Sequence, residues 1–127
     1  MIARPRMALL ETVIVTLAVA TACVVPVASR PSPTPGLELV VRSAPGDLLT
    51  FVPVAISAPA ATLVRVVFRN DSSQAHNLTF QGPISAATRT IVEAGASDAA
   101  TFVTPGPGSY TFVCTIHIGM SGTLTVE

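Results

Sequence analysis

The stretch Tyr110-Thr-Phe-Val-Cys114-Thr-Ile-His117-Ile-Gly-Met120 lies near the C-terminus and contains three side chains that bind metals. Cys114, His117 and Met120 follow one another in a C-x2-H-x2-M spacing. The residues before Cys114 have the alternating pattern of a β-strand. Cys114 therefore ends a strand, and His117 and Met120 lie on the turn after it. This arrangement allows all three side chains to converge at one end of a β-sandwich.

A second imidazole is supplied upstream, in Asn70-Asp-Ser-Ser-Gln-Ala-His76-Asn77. His76 and His117 are the two histidines of the chain, and Cys114 is its only cysteine outside the N-terminal segment. Two imidazole nitrogens, one thiolate and one weak thioether are the ligand set of a blue-copper electron-transfer site. We therefore predict one type 1 copper ion per domain, with His76, Cys114, His117 and Met120 as its ligands.

Each of these four side chains also has a simpler interpretation, as a core or surface residue with no metal. Zinc is the main alternative metal because it also binds Cys and His. The thioether of Met120 counts against zinc. A Cys114 nucleophile with a histidine base would lack an orienting acid nearby and would leave Met120 without a role. A domain of this fold that has lost its metal would not retain the full ligand set.

The composition limits the classes of function. The chain has 127 residues, no lysine and a formal net charge of zero, which favours a single domain. No basic patch is present to neutralise phosphates, so a nucleic-acid partner is not expected. The two cysteines, one of them in the leader, do not form a disulfide framework. We expect a monomer.

The N-terminal segment has the pattern of a targeting or anchoring sequence. Arg4 and Arg6 precede a mostly apolar run, and Ala20-Thr21-Ala22-Cys23 resembles a bacterial lipobox. Residues 1–22 are interpreted as a signal peptide, here a lipoprotein leader with Cys23 lipidated, or as a membrane anchor. Ordinary secretory cleavage is the third alternative. Each of them predicts an extracytoplasmic protein, periplasmic or attached to the outer face of a bacterial membrane.

Residues 23–36 form a Pro-rich linker, and residues 37–127 form the folded domain. The alternating prolines of the linker favour an extended, semi-rigid spacer. Strand patterns separated by Gly/Pro turns follow it, with no convincing helical periodicity, and predict an all-β sandwich or barrel. The predicted strands are 37–42, 48–56, 62–69, 76–80, 89–93, 99–103, 109–114 and 123–126. Pro53 predicts an edge or a bulge, and Tyr110 is either a tyrosine corner or a plain core aromatic.

The ligand motif and the strand pattern resemble the cupredoxins, the plastocyanin/azurin superfamily of type 1 blue copper proteins. The short C-x2-H-x2-M loop is most similar to that of amicyanin. The resemblance covers about residues 37–127 and implies a Greek-key β-sandwich. It also implies that Asn77 ties the two ligand segments together through Thr115, and that the backbone N–H of Asn77 points at the thiolate. Ile118 departs from the pattern, since amicyanins usually have proline there.

The resemblance further implies a docking surface and a function. The ring of His117 would reach the surface through an apolar ring of residues, where transient redox partner proteins dock. The expected ring consists of Pro83, Ile84, Ile116, Ile118 and Gly119. The implied function is the shuttling of single electrons between redox partners, and not catalysis. The alternative is a copper-binding protein that delivers copper for assembly of a copper oxidase, but only Met120 of the three methionines lies in the domain.

Overall fold

The computed structural model describes residues 36–127, which form two packed β-sheets. The predicted leader, Cys23 and residues 23–35 of the linker lie outside the described residues. Eight strands are present in the described part: β1 (Leu37–Gly46), β2 (Phe51–Val52), β3 (Ala55–Ala58), β4 (Leu63–Ser72), β5 (Thr79–Phe80), β6 (Ser97–Val103), β7 (Gly108–Val113) and β8 (Ser121–Val126). No helix is found in residues 36–127, so none there is long and apolar enough to cross a membrane.

The strands are divided equally between the two sheets. One sheet has the order β2-β1-β4-β6, and the other has the order β3-β8-β7-β5. The pairs β1/β4 and β3/β8 are parallel, and the remaining pairs are antiparallel. The chain passes repeatedly from one sheet to the other. The prediction of an all-β Greek-key sandwich is confirmed.

The core lies between the sheets, where alternate residues of each strand point inward. Val64, Val66 and Phe68 of β4 are fully buried, and Phe112 of β7 is fully buried with them. The Phe112 ring packs edge-on against Phe51, with ring centroids 5.2 Å apart. Gly122 on β8 is required there, because a Cβ at this position would lie 2.3 Å from the Phe112 ring. This tight packing fixes the position of β7, which leads into the 114–120 loop.

Two strand predictions differ from the structure. The predicted strand 48–56 is interrupted after Val52, and the chain changes sheets around Pro53, so β2 and β3 belong to different sheets. Proline cannot donate to a strand ladder, which is consistent with a break at this point. The predicted strand 89–93 is part of the loop between β5 and β6. Only Val92 pairs there, in an isolated bridge with His76.

The two ends of the sandwich carry different loops. The site end consists of residues 46–47, 72–77 and 114–120, which follow β1, β4 and β7. The far end consists of residues 59–62 and 104–108. At the far end, the Tyr110 hydroxyl donates to the Gly106 carbonyl at 2.6 Å. This hydrogen bond confirms the tyrosine-corner interpretation of Tyr110.

Candidate metal centre

The loop from Cys114 to Met120 is closed by backbone hydrogen bonds. The Cys114 N–H donates to the Met120 carbonyl at 3.0 Å, and the Met120 N–H contacts the His117 carbonyl at 3.4 Å. Gly119 has a φ of +88°, a conformation that glycine adopts without strain. The closed loop buries Cys114 and Met120 and leaves His117 half-buried at its tip. Ile118 is fully exposed beside His117.

His76 is held in place by the loop between β5 and β6 and is completely buried. Its N–H donates to the Val92 carbonyl at 3.1 Å, and its carbonyl accepts from the Val92 N–H at 2.9 Å. These two bonds fix the backbone of His76 four residues after the end of β4. The imidazole ring therefore has a defined direction toward Cys114.

The structure brings His76, Cys114 and His117 together. The two Nδ1 atoms are 3.1 Å apart, and the Cys114 sulfur is 3.7 Å from Nδ1 of His76 and 3.8 Å from Nδ1 of His117. A point equidistant from the three atoms lies about 2 Å from each of them, near the usual metal–nitrogen and metal–sulfur bond lengths. The three donor atoms therefore surround a position suited to one metal ion.

The hydrogen bonds of Ser72 determine which nitrogen of His76 carries the proton. The single hydroxyl proton of Ser72 is donated to the Gly46 carbonyl at 2.8 Å. The Ser72 oxygen, 3.1 Å from Nε2 of His76, must therefore accept a hydrogen bond from an N–H at that position. This arrangement leaves the lone pair of Nδ1 directed at the other two donors. Burial, and secondarily the neighbouring His117 ring, lowers the pKa of His76 below its ordinary value of 6.5, which favours this neutral form.

Nε2 of His117 has its own partner at the surface. It lies 3.1 Å from the side-chain oxygen of Gln74, which belongs to the segment that precedes His76. Both imidazoles are therefore contacted on the nitrogen that faces away from Cys114. Ser72 and Gln74 supply these contacts, and the two residues lie four and two positions before His76.

Asn77 joins the two metal-binding segments. Its side-chain nitrogen donates to the Thr115 hydroxyl at 2.7 Å, and its side-chain oxygen accepts from the Thr115 N–H at 2.9 Å. The same nitrogen also donates to the Thr90 carbonyl at 2.7 Å. Asn77 is buried, Thr115 is exposed, and the bonds between them are partly buried. The segment with His76 and the loop with Cys114 are thus locked to each other by one side chain.

One expected feature is corrected by the structure, and another stays a prediction. The expected direction of the Asn77 N–H toward the Cys114 sulfur is the one that stays a prediction. Pro83 and Ile84 do not lie around His117. Ile84 is in the hydrophobic core, and Pro83 lies near Ser109 and Tyr110, toward the other end of β7. Ile116, Ile118 and Gly119 remain beside His117 because they belong to the same loop.

The contacts of Ser72 and Gln74 with the imidazoles were missed by the sequence reasoning. Both residues lie in the polar run Asn70-Asp-Ser-Ser-Gln, which resembles an ordinary loop composition. Their contacts with the imidazoles depend on how β1, β4 and the 114–120 loop meet. The only signal was their closeness in sequence to His76, since residues near a metal-binding histidine commonly orient it.

The donor set fits copper. A thiolate and two neutral imidazoles at the corners of a triangle, with a buried methionine on the same loop, satisfy the preferences of both copper oxidation states. All buried side-chain nitrogen and oxygen atoms in residues 36–127 have hydrogen-bond partners. Nδ1 of His76 lies 3.1 Å from Nδ1 of His117 and 3.7 Å from the Cys114 sulfur, so its partners are the other two donor atoms, and a cation placed between the three would be in reach of all of them.

Comparison with known proteins agrees with this fold and site. The model of the cupredoxin-like domain matches residues 13–126. The chain belongs to the cupredoxin family. It is 33% identical over 126 residues to auracyanin-B of Chloroflexus aurantiacus, and the match covers 73% of this chain and 53% of that protein. The chain thus spans about half the length of this relative.

Solved cupredoxin structures superpose on the domain. An auracyanin B structure matches with a TM-score of 0.66 and 32% identity, over 76% of this chain and 92% of the other. Dithionite-reduced auracyanin from Roseiflexus castenholzii matches with a TM-score of 0.62 and 25% identity, over 71% and 96%. Membership of the family confirms two further predictions, that the metal is one copper ion and that the chain is not an enzyme.

Proposed function

We propose that this protein is a type 1 copper electron carrier, with His76, Cys114, His117 and Met120 as the copper ligands. The observation that carries the proposal is the triangle of Nδ1, Nδ1 and Sγ atoms, with sides of 3.1, 3.7 and 3.8 Å. Copper supplies a one-electron couple between Cu(II) and Cu(I). The crystal structure of a relative at 25% identity is that of the dithionite-reduced protein, which is consistent with redox activity.

The protein's contribution is to hold the donor atoms still. Each imidazole is contacted at Nε2, by Ser72 or by Gln74, and Asn77 locks the segments of His76 and Cys114 together. Because the backbone of His76 is bonded to Val92 and the 114–120 loop is closed on itself, the donors have little freedom to move. A site that changes little between oxidation states needs little rearrangement for each electron transfer.

The same enclosure favours a carrier over a copper-delivery protein. Cys114, His76 and Met120 are buried, and only His117 of these four residues is partly exposed. Delivery requires ligands that an acceptor protein can replace in sequence. Slow transfer of copper to a chelator would support the carrier, whereas fast transfer would favour delivery.

Absorption and paramagnetic-resonance spectra of the purified protein with Cu(II) test this function. We expect an intense visible charge-transfer band and a narrow copper hyperfine splitting, both lost in Cys114→Ala. Thr104→Val, at a buried residue at the far end of the sandwich, serves as the control and should keep the band. A pale complex with ordinary hyperfine splitting in the wild-type protein would contradict the proposal.

Partner docking is proposed at the exposed apolar residues beside His117. Ile118 is fully exposed, and 41% of Ile116 is exposed. An exposed apolar patch of this kind is suited to a transient protein contact. Ile118→Asp should slow electron exchange with a redox partner, and Val103→Asp, at an exposed apolar residue near the other end of the sandwich, should not. Equal rates for both variants would exclude this surface.

We also propose that the domain works outside the cytoplasm as a monomer, held by the N-terminal segment. The proposal depends on the sequence of residues 1–22 and on Cys23. Residues 23–36 would then separate the domain from the membrane. Cys23→Ser followed by membrane fractionation is the test: release of the protein supports lipidation, and retention supports a membrane-spanning anchor.

A further inference from the structure

The side chain of Gln74 bridges the His117 ring and the turn after β1. Its oxygen lies 3.1 Å from Nε2 of His117, and its nitrogen lies 3.4 Å from Oδ1 of Asp47. Gln74 and Asp47 are separated by 27 positions in the sequence. They meet because β1 and β4 are parallel neighbours that end together, with Gly46 paired to Ser72.

Asp47 determines which way the Gln74 amide points. An ionised carboxylate only accepts hydrogen bonds, so the amide nitrogen must face Asp47 and the amide oxygen must face His117. Hydrogen bonds from Ser73 and Gln74 lower the pKa of Asp47 below its ordinary value of 3.8, so the carboxylate is ionised near neutral pH. An amide oxygen facing Nε2 of His117 accepts a hydrogen bond from an N–H at that position. The lone pair of His117 is then on Nδ1, which faces Cys114 and His76.

The backbone of Gln74 is fixed although its side chain is exposed. Its N–H donates to the Ser72 hydroxyl at 3.1 Å, and its carbonyl accepts from the Asn70 side chain at 2.7 Å. Asn70 itself is buried and also donates to the Val92 carbonyl at 2.8 Å. The Gln74 side chain therefore starts from a defined position, and less conformational entropy is lost when it contacts His117.

We infer that Gln74, oriented by Asp47, is a positioning residue that holds the exposed imidazole of His117 in its metal-binding orientation. The inference rests on the proposed copper site. His117 is the half-buried ligand, so rotation of its ring is the easiest way to open the site. The contact with Gln74 opposes that rotation. The negative charge of Asp47, transmitted through the amide, also makes the imidazole a stronger electron donor and favours Cu(II).

Nitrogen-15 NMR of the imidazoles in the metal-free protein tests the positioning directly. In the wild-type protein we expect His117 to be mainly in the form protonated at Nε2. Gln74→Leu removes the acceptor and should give a mixture of the two neutral forms. The control is Gln81→Leu, which replaces an exposed glutamine away from the site. An unchanged His117 spectrum in Gln74→Leu would overturn the inference.

Copper release provides the second readout. Loss of one hydrogen bond of ordinary strength should make chelator-driven loss of Cu(I) about five times faster in Gln74→Leu. Asp47→Asn should raise the reduction potential while leaving the visible band in place. Equal release rates for Gln74→Leu and Gln81→Leu would also overturn the inference. A wild-type protein without a blue band would instead refute the proposed function, and the metal-free NMR would still report on Gln74.

Discussion

At both ends of the sandwich, a side chain forms hydrogen bonds with residues far away in the sequence. The bonds at the two ends have different roles. At the far end, the Thr104 hydroxyl donates to the Pro59 carbonyl at 2.6 Å and accepts from the Thr62 N–H at 2.9 Å. At the site end, Asn77 makes comparable bonds to Thr90 and Thr115. The far end uses its bonds only to join loops. The site end uses them to direct three donor atoms at one point.

This comparison shows how the same structural device serves stability at one end and chemistry at the other. If it is correct, variants at the far end change the free energy of unfolding without changing the copper spectrum. Variants at the site end change both.

Removal of the His76 imidazole should lower the free energy of unfolding much more than removal of the His117 imidazole. His76→Ala removes a fully buried side chain and its bond to Ser72, and we expect unfolding of the metal-free protein to be easier by about 4 kcal/mol. His117→Ala removes a half-buried ring and should cost less than about 1 kcal/mol. Both variants should lose the blue band. Urea unfolding of the two metal-free variants provides the measurement, and equal losses would contradict the burial difference.

Asn77 and Thr104 form a matched pair across the two ends. Asn77→Ala removes three hydrogen bonds and should destabilise the domain by about 3 kcal/mol, with a shifted visible band and a changed reduction potential. Thr104→Val should destabilise the domain by about 2 kcal/mol. Denaturant melts combined with absorption spectra measure both effects. A Thr104→Val variant with an altered band would remove the distinction between the ends.

Tyr110→Phe is a milder test of the far end. It removes the hydroxyl that donates to the Gly106 carbonyl and keeps the ring. We expect a loss of about 1 kcal/mol in the free energy of unfolding. The reduction potential of the copper-loaded protein should match that of the wild type. A shifted potential would mean that β7 transmits changes at its first residues to Cys114.

Substitution of Asp98 should have the smallest effect on stability, and that effect should depend on pH. It accepts a hydrogen bond from the Arg89 N–H and so fastens the loop that carries Thr90 and Val92. That bond, together with the nearby Arg89 and Arg65 charges, holds the pKa of Asp98 below its ordinary value of 3.8. The resulting stability is fully present above pH 3.8 and is lost as the pH falls through the lower pKa of the folded protein.

Replacing the Asp98 carboxylate by a neutral amide tests this pH dependence. Asp98→Asn should lower the stability of the metal-free protein by less than about 1 kcal/mol near neutral pH and should flatten the acid limb of its stability curve. Thermal melts from near neutral pH down into the acid range measure the difference. Parallel curves for the two proteins would show that Asp98 contributes no pH-dependent stability.

The sequence predicted the sandwich and the converging side chains because both depend on local patterns. The alternation before Cys114 and the C-x2-H-x2-M spacing are short-range features, and His76 was the one remaining imidazole. The sheet change around Pro53 could not be predicted, because the pairing of β2 with β1 and of β3 with β8 is decided by distant strands.

The surroundings of the site were less predictable for the same reason. The contact of Gln74 with Asp47 joins positions that only the parallel pairing of β1 and β4 brings together. The predicted apolar ring around His117 included too many residues, since Ile84 is buried in the core. The bonds between Asn77 and Thr115 were implied by the family resemblance and are present. The expected Asn77 N–H contact with the sulfur stays a prediction.

X-ray absorption spectroscopy of the copper-loaded protein tests the central claim most directly, because it counts the donor atoms around the metal. The structure predicts two nitrogen donors and one close sulfur donor, and the sulfur contribution should disappear in Cys114→Ala. Copper surrounded only by nitrogen and oxygen in the wild-type protein, or a close sulfur that persists without Cys114, would contradict a site built from His76, Cys114 and His117.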